Sequence, residues 1–250
     1  MSLDKSYLDK FIKATEFAAY GASPFIGKKN KNAADQGAVD KMRDELNKID
    51  MIGKVVIGEG EMDEAPMLYI GENVGTKKGK EIDIALDPLE GTNFTANNSP
   101  GAFSVLVAAE KGNLLSAPDT YMEKIIIGSN LPENLLDLDN SIETNINLLS
   151  KAKNKKISEL SACILKRPRH KEIVDKLNKL KVKINFITDG DIAGALSVVG
   201  ENPSNDIYLG IGGGPEGVIA AAALTCYSGQ MQGRLILDAD EIERAKKLGI

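Results

Sequence analysis

Apolar residues recur at helical spacing through the first fifty positions. Leu8, Phe11, Ile12, Ala18 and Ala19 fall on one face of a helix that ends before Pro24. Ala38, Met42, Leu46 and Ile49 mark a second helix, expected to start at Asp35 after a basic loop at 27–32. The period then changes. Residues 54–58 read as a strand, and Ile82, Ile84 and Leu86 alternate in a second that Pro88 is expected to stop. A strongly apolar strand at 102–109 leads into Lys111-Gly112-Asn113, which predicts a hairpin turn with 114–117 as the returning strand. Another strand is expected at 123–128, a polar loop holding Pro132 at 129–140, and a helix from 141 or 142 to 152.

Beyond residue 156 strands and helices alternate. Strands at 160–166, 182–187 and 206–211 are interleaved with helices at 170–180, 191–199 and 216–228, and a surface helix follows at 238–248. That rhythm predicts a mostly parallel sheet with helices packed on it. The fold class is therefore α/β, with an α+β part at 1–155 and an α/β part at 156–250. The basic run 151–156 is read as the solvated connection between them.

Composition narrows the function. A length of 250 residues gives one large or two small domains with ample core, and 42% hydrophobic with 27% charged residues is ordinary for a soluble globular chain. A net charge of −5 gives no support for nucleic-acid or anionic-membrane binding. The longest mainly apolar run, at 218–226, is too short to span a bilayer and the N-terminus lacks a secretory pattern, so a cytoplasmic protein is expected. Cys163 and Cys226 each lie in an apolar segment and read as buried free thiols. The single histidine, His170, leaves no room for histidine-rich metal sites. Hydrolytic chemistry here would rest on carboxylates, hydroxyls and metal ions.

Carboxylates do cluster where strands end. Asp87 and Glu90 flank Pro88-Leu89, offering the hard oxygen donors that Mg²⁺ or Mn²⁺ prefers. Gly91 lets the backbone approach an anion, and Thr92 opens a short helical run whose N–H groups would face a phosphate. The same residues also suit a plain strand-to-helix turn with capping acids. Glu59, Glu61, Asp63 and Glu64 follow the strand at 54–58, and such an acid cluster on its own reads as a solvated turn. Three further segments fall at the ends of expected parallel strands, where ligand loops belong: Arg167-Pro168-Arg169, Asp189-Gly190-Asp191 and Gly212-Gly213-Gly214-Pro215-Glu216.

Asp-Pro-Leu-Glu-Gly-Thr at 87–92 resembles the signature of the lithium-sensitive, metal-dependent phosphatases. With V-V-I-G-E-G-E-M-D-E-A-P-M-L-Y-I-G-E at 55–72 and A-P-D-T-Y-M-E-K at 117–124, the chain is similar to the class II fructose-1,6-bisphosphatases from about Phe17 to Leu235. The resemblance implies a layered sugar-phosphatase fold and metal ligands at Asp35, Glu59, Asp87, Glu90 and Glu216 for Mn²⁺ or Mg²⁺. It implies catalytic roles for Asp63 and Thr92, with Glu61 and Glu64 in support. Substrate contacts carried over are Lys31, Glu90, Gly91, Thr92, Tyr121, Arg167, Pro168, Arg169, Asp189, Gly190, Asp191 and Gly213. The implied reaction is hydrolysis of the 1-phosphate of fructose 1,6-bisphosphate by a homo-oligomer, a dimer or tetramer. Alternatives are a sedoheptulose-bisphosphate or other sugar phosphomonoester phosphatase, or an inactive sugar-phosphate-binding protein. Two carboxylates about 4 Å apart repel by roughly 4 kcal/mol at an effective dielectric near 20, so five in one pocket would need cations. The family usually has lysine where this chain has Arg167, and its members continue beyond the position that aligns with Gly249-Ile250.

Overall fold

A close crossing of two helices at a pair of glycines sets the first layer. In the computed structural model, which describes residues 3–58, 68–117 and 120–248, helix α1 (Leu8–Ala22) packs on α2 (Lys31–Leu46). A Cβ on Gly21 would lie 2.0 Å from the Gly37 carbonyl oxygen, and one on Gly37 would lie 2.4 Å from that of Gly21. So close a crossing admits only small residues nearby. The buried face of α1 is accordingly Phe11, Ala14, Ala18 and Ala22, while Leu8, Ile12 and Ala19 from the expected stripe are exposed. Helix α2 begins at Lys31, because the Asn30 side chain caps it by accepting the Ala33 N–H at 3.0 Å. Asp35 is thereby in the body of the helix, not at its start.

These helices cover a four-stranded sheet ordered β2-β1-β3-β4, built from β1 (Met51–Ile57), β2 (Asn73–Val74), β3 (Lys80–Glu90) and β4 (Phe103–Glu110). β3 runs parallel to β1 and antiparallel to β4, and its Ile82, Ile84 and Leu86 enter the core with Met42, Leu46 and Val55. Pro88 does not stop β3. The register with β4 shifts between Asp87, opposite Val105, and Glu90, opposite Phe103. The proline, which has no N–H to give, sits inside that irregularity, so the strand continues past it. The expected hairpin after β4 is also absent. The turn at 111–113 forms, with the Gly112 N–H on Asp83 Oδ2 at 2.6 Å, but 114–117 makes no strand. That segment leaves β4 instead, and the Ser116 hydroxyl donates to the Val56 carbonyl at 3.3 Å. The short α3 (Thr92–Ala96) follows β3.

The chain divides into two compact units after Ala117, so the stretch 120–155 groups with the C-terminal unit, and the reason is strand pairing. β5 (Tyr121–Ile127) is an inner strand of a five-stranded sheet with β6 (Ser161–Leu165), β7 (Lys183–Ile187), β8 (Ile207–Gly213) and β9 (Gln230–Ile236), ordered β7-β6-β8-β5-β9. β6 is parallel to β7 and β8, whereas β5 is antiparallel to both β8 and β9. The sheet is mixed, not mostly parallel, and β9 was not foreseen, its Gln-Met-Gln-Gly-Arg run being weakly apolar.

Both faces of this sheet are covered. Ile125, Ile164, Ile207 and Leu209 pack with residues of α4 (Ile142–Lys153) and α5 (Lys171–Leu180). Ile126, Cys163 and Tyr208 pack with residues of α6 (Asp191–Leu196) and α7 (Gly214–Cys226). Helix α8 (Ala239–Leu248) closes the described chain. Cys163 is buried as expected, and burial pushes its thiol up to about 11. Cys226 is exposed instead, since it lies in the last turn of α7 away from the sheet. No helix among the described residues is long and apolar enough to cross a membrane.

Candidate active site

In the first unit the chemistry gathers at the end of β3. The Asp87 carboxylate accepts the Leu89 N–H at 2.9 Å, which folds the chain tightly around Pro88 and fixes the bulge. Glu90 is buried, and Gly91 follows in the left-handed region at φ 79°. A Cβ there would also meet the Phe94 ring at 2.7 Å, so both the dihedral and the space require glycine. Thr92 then starts the five-residue α3. Asp35 on α2 is 8% exposed, and its Oδ1 has no hydrogen-bond partner among the described residues. Burial raises its pKa from the ordinary carboxylate value. An orphaned, desolvated carboxylate oxygen of this kind is a donor that a divalent cation would satisfy. Lys31 is exposed in the first turn of the same helix.

Glu59, Glu61, Asp63 and Glu64 lie outside the described residues. Among the described residues, no three His, Cys, Asp or Glu side chains converge closely enough to hold a metal ion. Asp35, Asp87 and Glu90 supply hard oxygen donors of the type a divalent cation takes, with the orphaned Asp35 oxygen the one that calls for it, though they do not converge on one point among the described residues.

In the second unit the loops at the carboxyl ends of β6, β7 and β8 come together with the start of β5. Pro168 opens a 3₁₀ turn at Pro168–His170. Next to it, the Arg169 Nε and Nη2 both donate to the Ile211 carbonyl, at 3.0 and 2.8 Å. Its guanidinium lies over the Tyr121 ring, 4.8 Å from the centroid. Tyr121 is paired in register with Gly213, so the arginine, the tyrosine and the glycine loop share one corner of the sheet. His170 pins that corner. Its ring is buried, with Nδ1 2.6 Å from the Leu165 carbonyl and Nε2 accepting the Ile211 N–H at 2.8 Å. Those contacts select the neutral tautomer protonated at Nδ1. Arg167 turns the other way, and its Nη1 donates to the carbonyls of Lys166 and Thr188, at 3.1 and 2.8 Å.

Gly190 is left-handed at φ 82° and caps α6. Asp189 before it is half-buried and Asp191 after it is buried. The glycine run at 212–214 has a definite purpose beyond turning. A Cβ on Gly212 would lie 2.1 Å from Asp191 Oδ2, and one on Gly213 would lie 1.8 Å from Glu216 Oε2. Successive strand positions face opposite ways, so the bare end of β8 admits one carboxylate on each side. Lys124 and Tyr208, two residues that the sequence reading passed over, hydrogen-bond the Asp191 carboxylate on its two oxygens. A legible signal existed for Lys124: it occupies an inward strand position between Met122 and Ile126.

A family profile described as bacterial fructose-1,6-bisphosphatase, glpX-encoded, matches residues 5–250. The class 2 fructose-1,6-bisphosphatase of Haemophilus influenzae is 41% identical over 262 residues, spanning 99% of this chain and 78% of the relative. Fructose-1,6-bisphosphatase 1 class 2 of Escherichia coli is 41% identical over 255 residues, 96% of this chain and 76% of the relative. A Synechocystis protein named D-fructose 1,6-bisphosphatase class 2/sedoheptulose 1,7-bisphosphatase is 42% identical over 246 residues, 94% and 71%. The motifs at the end of β3 and around β8 thus sit within a match covering nearly the whole chain, and the chain belongs to the bacterial, glpX-encoded fructose-1,6-bisphosphatase family.

Proposed function

We propose that the protein is a cytoplasmic, metal-dependent phosphatase that removes the 1-phosphate of fructose 1,6-bisphosphate, releasing fructose 6-phosphate and phosphate. The observation that carries this reading is the set of candidate side chains that each unit gathers by itself. One presents buried carboxylates and a threonine at a strand end, and the other presents arginines and aspartates at strand ends. Asp35, Glu59, Asp87, Glu90 and Glu216 would hold Mn²⁺ or Mg²⁺. Bound cations would polarise the phosphate and lower the pKa of a water for in-line attack.

The chain's own groups divide the remaining work. Thr92 orients the attacking water through its hydroxyl, and Asp63 takes its proton, with Glu61 and Glu64 supporting it. Gly91 and Lys31 approach the reacting phosphate. Arg167 and Arg169 bind the second phosphate, a task suited to guanidinium forks. Tyr121 holds Arg169 in place by stacking. Asp189 and Asp191 accept from sugar hydroxyls, and Pro168, Gly190 and Gly213 shape the backbone around the sugar. Sedoheptulose 1,7-bisphosphate is a second substrate reading, favoured by the dual name of the Synechocystis relative. The active form is a homo-oligomer.

Phosphate release from a substrate panel, with and without metal, tests the reading. EDTA should abolish activity and Mn²⁺ or Mg²⁺ should restore it, with the bisphosphates turned over at far higher kcat/KM than glycerol or inositol phosphates. Full activity of protein shown by elemental analysis to be metal-free would sink the metal roles. Preference for a monophosphate would sink the substrate.

A further inference from the structure

Lys124 is a buried cation with no part in the chemistry above. Its side chain is 1% exposed, on the face of β5 that packs against α6 and α7. A lysine stays charged in such a place only when its ammonium is fully paired. Here the Nζ donates to Asp191 Oδ2 and, at 2.7 Å, to the Gly213 carbonyl. These acceptors belong to different loops. Asp191 is the first residue of α6, and Gly213 is the cap of α7, whose first turn carries Glu216. The lysine stem runs close to α7, since a Cβ on Gly217 would come within 3.4 Å of its Cε.

We propose that Lys124 is a positioning residue for substrate binding. Its ammonium ties the Asp189–Asp191 loop to the Gly213–Glu216 loop, and so fixes the spacing of the sugar-contacting groups. This rests on the reading of those loops as the sugar-binding half of the site. The Gly213 carbonyl accepts from Lys124, and the Glu216 carboxylate lies close on the side where a Gly213 Cβ would point. Tyr208 secures the other oxygen of Asp191 but makes no bond to the glycine loop, so the tie between loops runs through Lys124 alone among the hydrogen bonds described.

The test compares Lys124→Met, Lys124→Gln and Tyr208→Phe in the metal-loaded full chain, with steady-state kinetics on fructose 1,6-bisphosphate and thermal melts. Lys124→Met should raise KM by roughly tenfold or more, the scale of losing charge-assisted bonds that place a binding group, with a smaller change in kcat. Tyr208→Phe loosens the same carboxylate without cutting the tie. It should lower the melting temperature yet leave KM within about twofold of wild type. Lys124→Gln keeps a donor for one loop, is gentler on folding, and should give an intermediate KM. An unchanged KM in either folded Lys124 variant would overturn the proposal. So would a KM that tracks melting temperature across all three variants, or failure of both Lys124 variants to fold, since the lysine would then serve folding only. A wild-type enzyme that prefers monophosphates would instead sink the substrate reading, and so is told apart from failure of the tie.

Discussion

Single carboxylates in this chain are set to opposite tasks by what surrounds them. Asp35 is buried with an oxygen that nothing among the described residues satisfies, and burial raises its pKa. Asp206, equally buried, accepts from Lys153 and Lys155 at 2.6 and 2.8 Å and from the Ser161 N–H at 2.9 Å. Burial pushes its pKa up, but those bonds outweigh it and bring the value down to about 2. Asp35 is therefore costly without a cation, and Asp35→Asn should give metal-free protein a melting temperature equal to or above wild type. The same variant should lose activity and much of the stabilisation that Mn²⁺ gives wild type, which thermal melts with and without metal would read. A lower melting temperature in metal-free Asp35→Asn would show the carboxylate to be structurally paired. For Asp206 the sign is reversed. Its folded pKa is depressed below the ordinary 3.8, so its stabilisation is complete above about pH 4 and is lost as pH falls towards about 2. The gap in melting temperature between wild type and Asp206→Asn should close over that window, and a gap independent of pH would contradict the assignment.

At the level of elements, glycines decide which contacts are possible, and two of them predict contrasting outcomes. Gly21→Ala drives a Cβ into the Gly37 backbone, which cannot yield without moving a helix. It should cost about 1–3 kcal/mol of stability, as overpacked cores do, measurable by denaturant titration. For Gly213→Ala the nearest atoms all belong to the end of the Glu216 side chain, which can swing aside. It should fold with a near-normal melting temperature and lose activity, because the carboxylate is displaced. Equal loss of stability in both would refute the distinction. The same contacts explain what periodicity could reveal. Helix and strand positions in the second half, β9 excepted, were legible because Ile, Val and Leu recur at 3.6 and 2.0 spacing on elements buried by large side chains. The inner face of α1 was not, since a helix crossing at glycines buries alanines and leaves Leu8 and Ile12 outside. Pro88 misled because a proline within a register shift leaves no ladder bond unmade. Lys124 sits at a strand position whose burial the apolar neighbours signal, but its purpose was not legible, because its acceptors lie 67 and 89 residues away.

Over the whole molecule, the candidate residues fall into two compact units, with carboxylates and Thr92 in the first and Tyr121, Arg167, Arg169, Asp189, Asp191 and Glu216 in the second. Local motifs could mark each half, because most of its residues come in short runs at strand ends, Asp35 inside α2 being an exception. The boundary between units could not be read so directly, since it depends on β5 pairing with β8 and β9, strands that begin only at Ile207 and Gln230. This division carries the last prediction. If the first unit performs the hydrolysis and the second recognises the far phosphate, the two functions should separate in one substitution. Arg169 is the choice, because its guanidinium is exposed, seated on Tyr121 and anchored to the Ile211 carbonyl, while its remaining N–H groups have no acceptor among the described residues. Arg169→Ala removes a rigid fork without leaving a buried charge behind. kcat/KM for fructose 1,6-bisphosphate should fall by about 10²-fold, mainly through KM, the scale expected for a lost ionic hydrogen-bonding group. Turnover of glycerol 2-phosphate, which has no second phosphate to hold, should stay within about threefold of wild type. A parallel fall in both activities would mean that Arg169 supports the fold or the chemistry, and not the far phosphate.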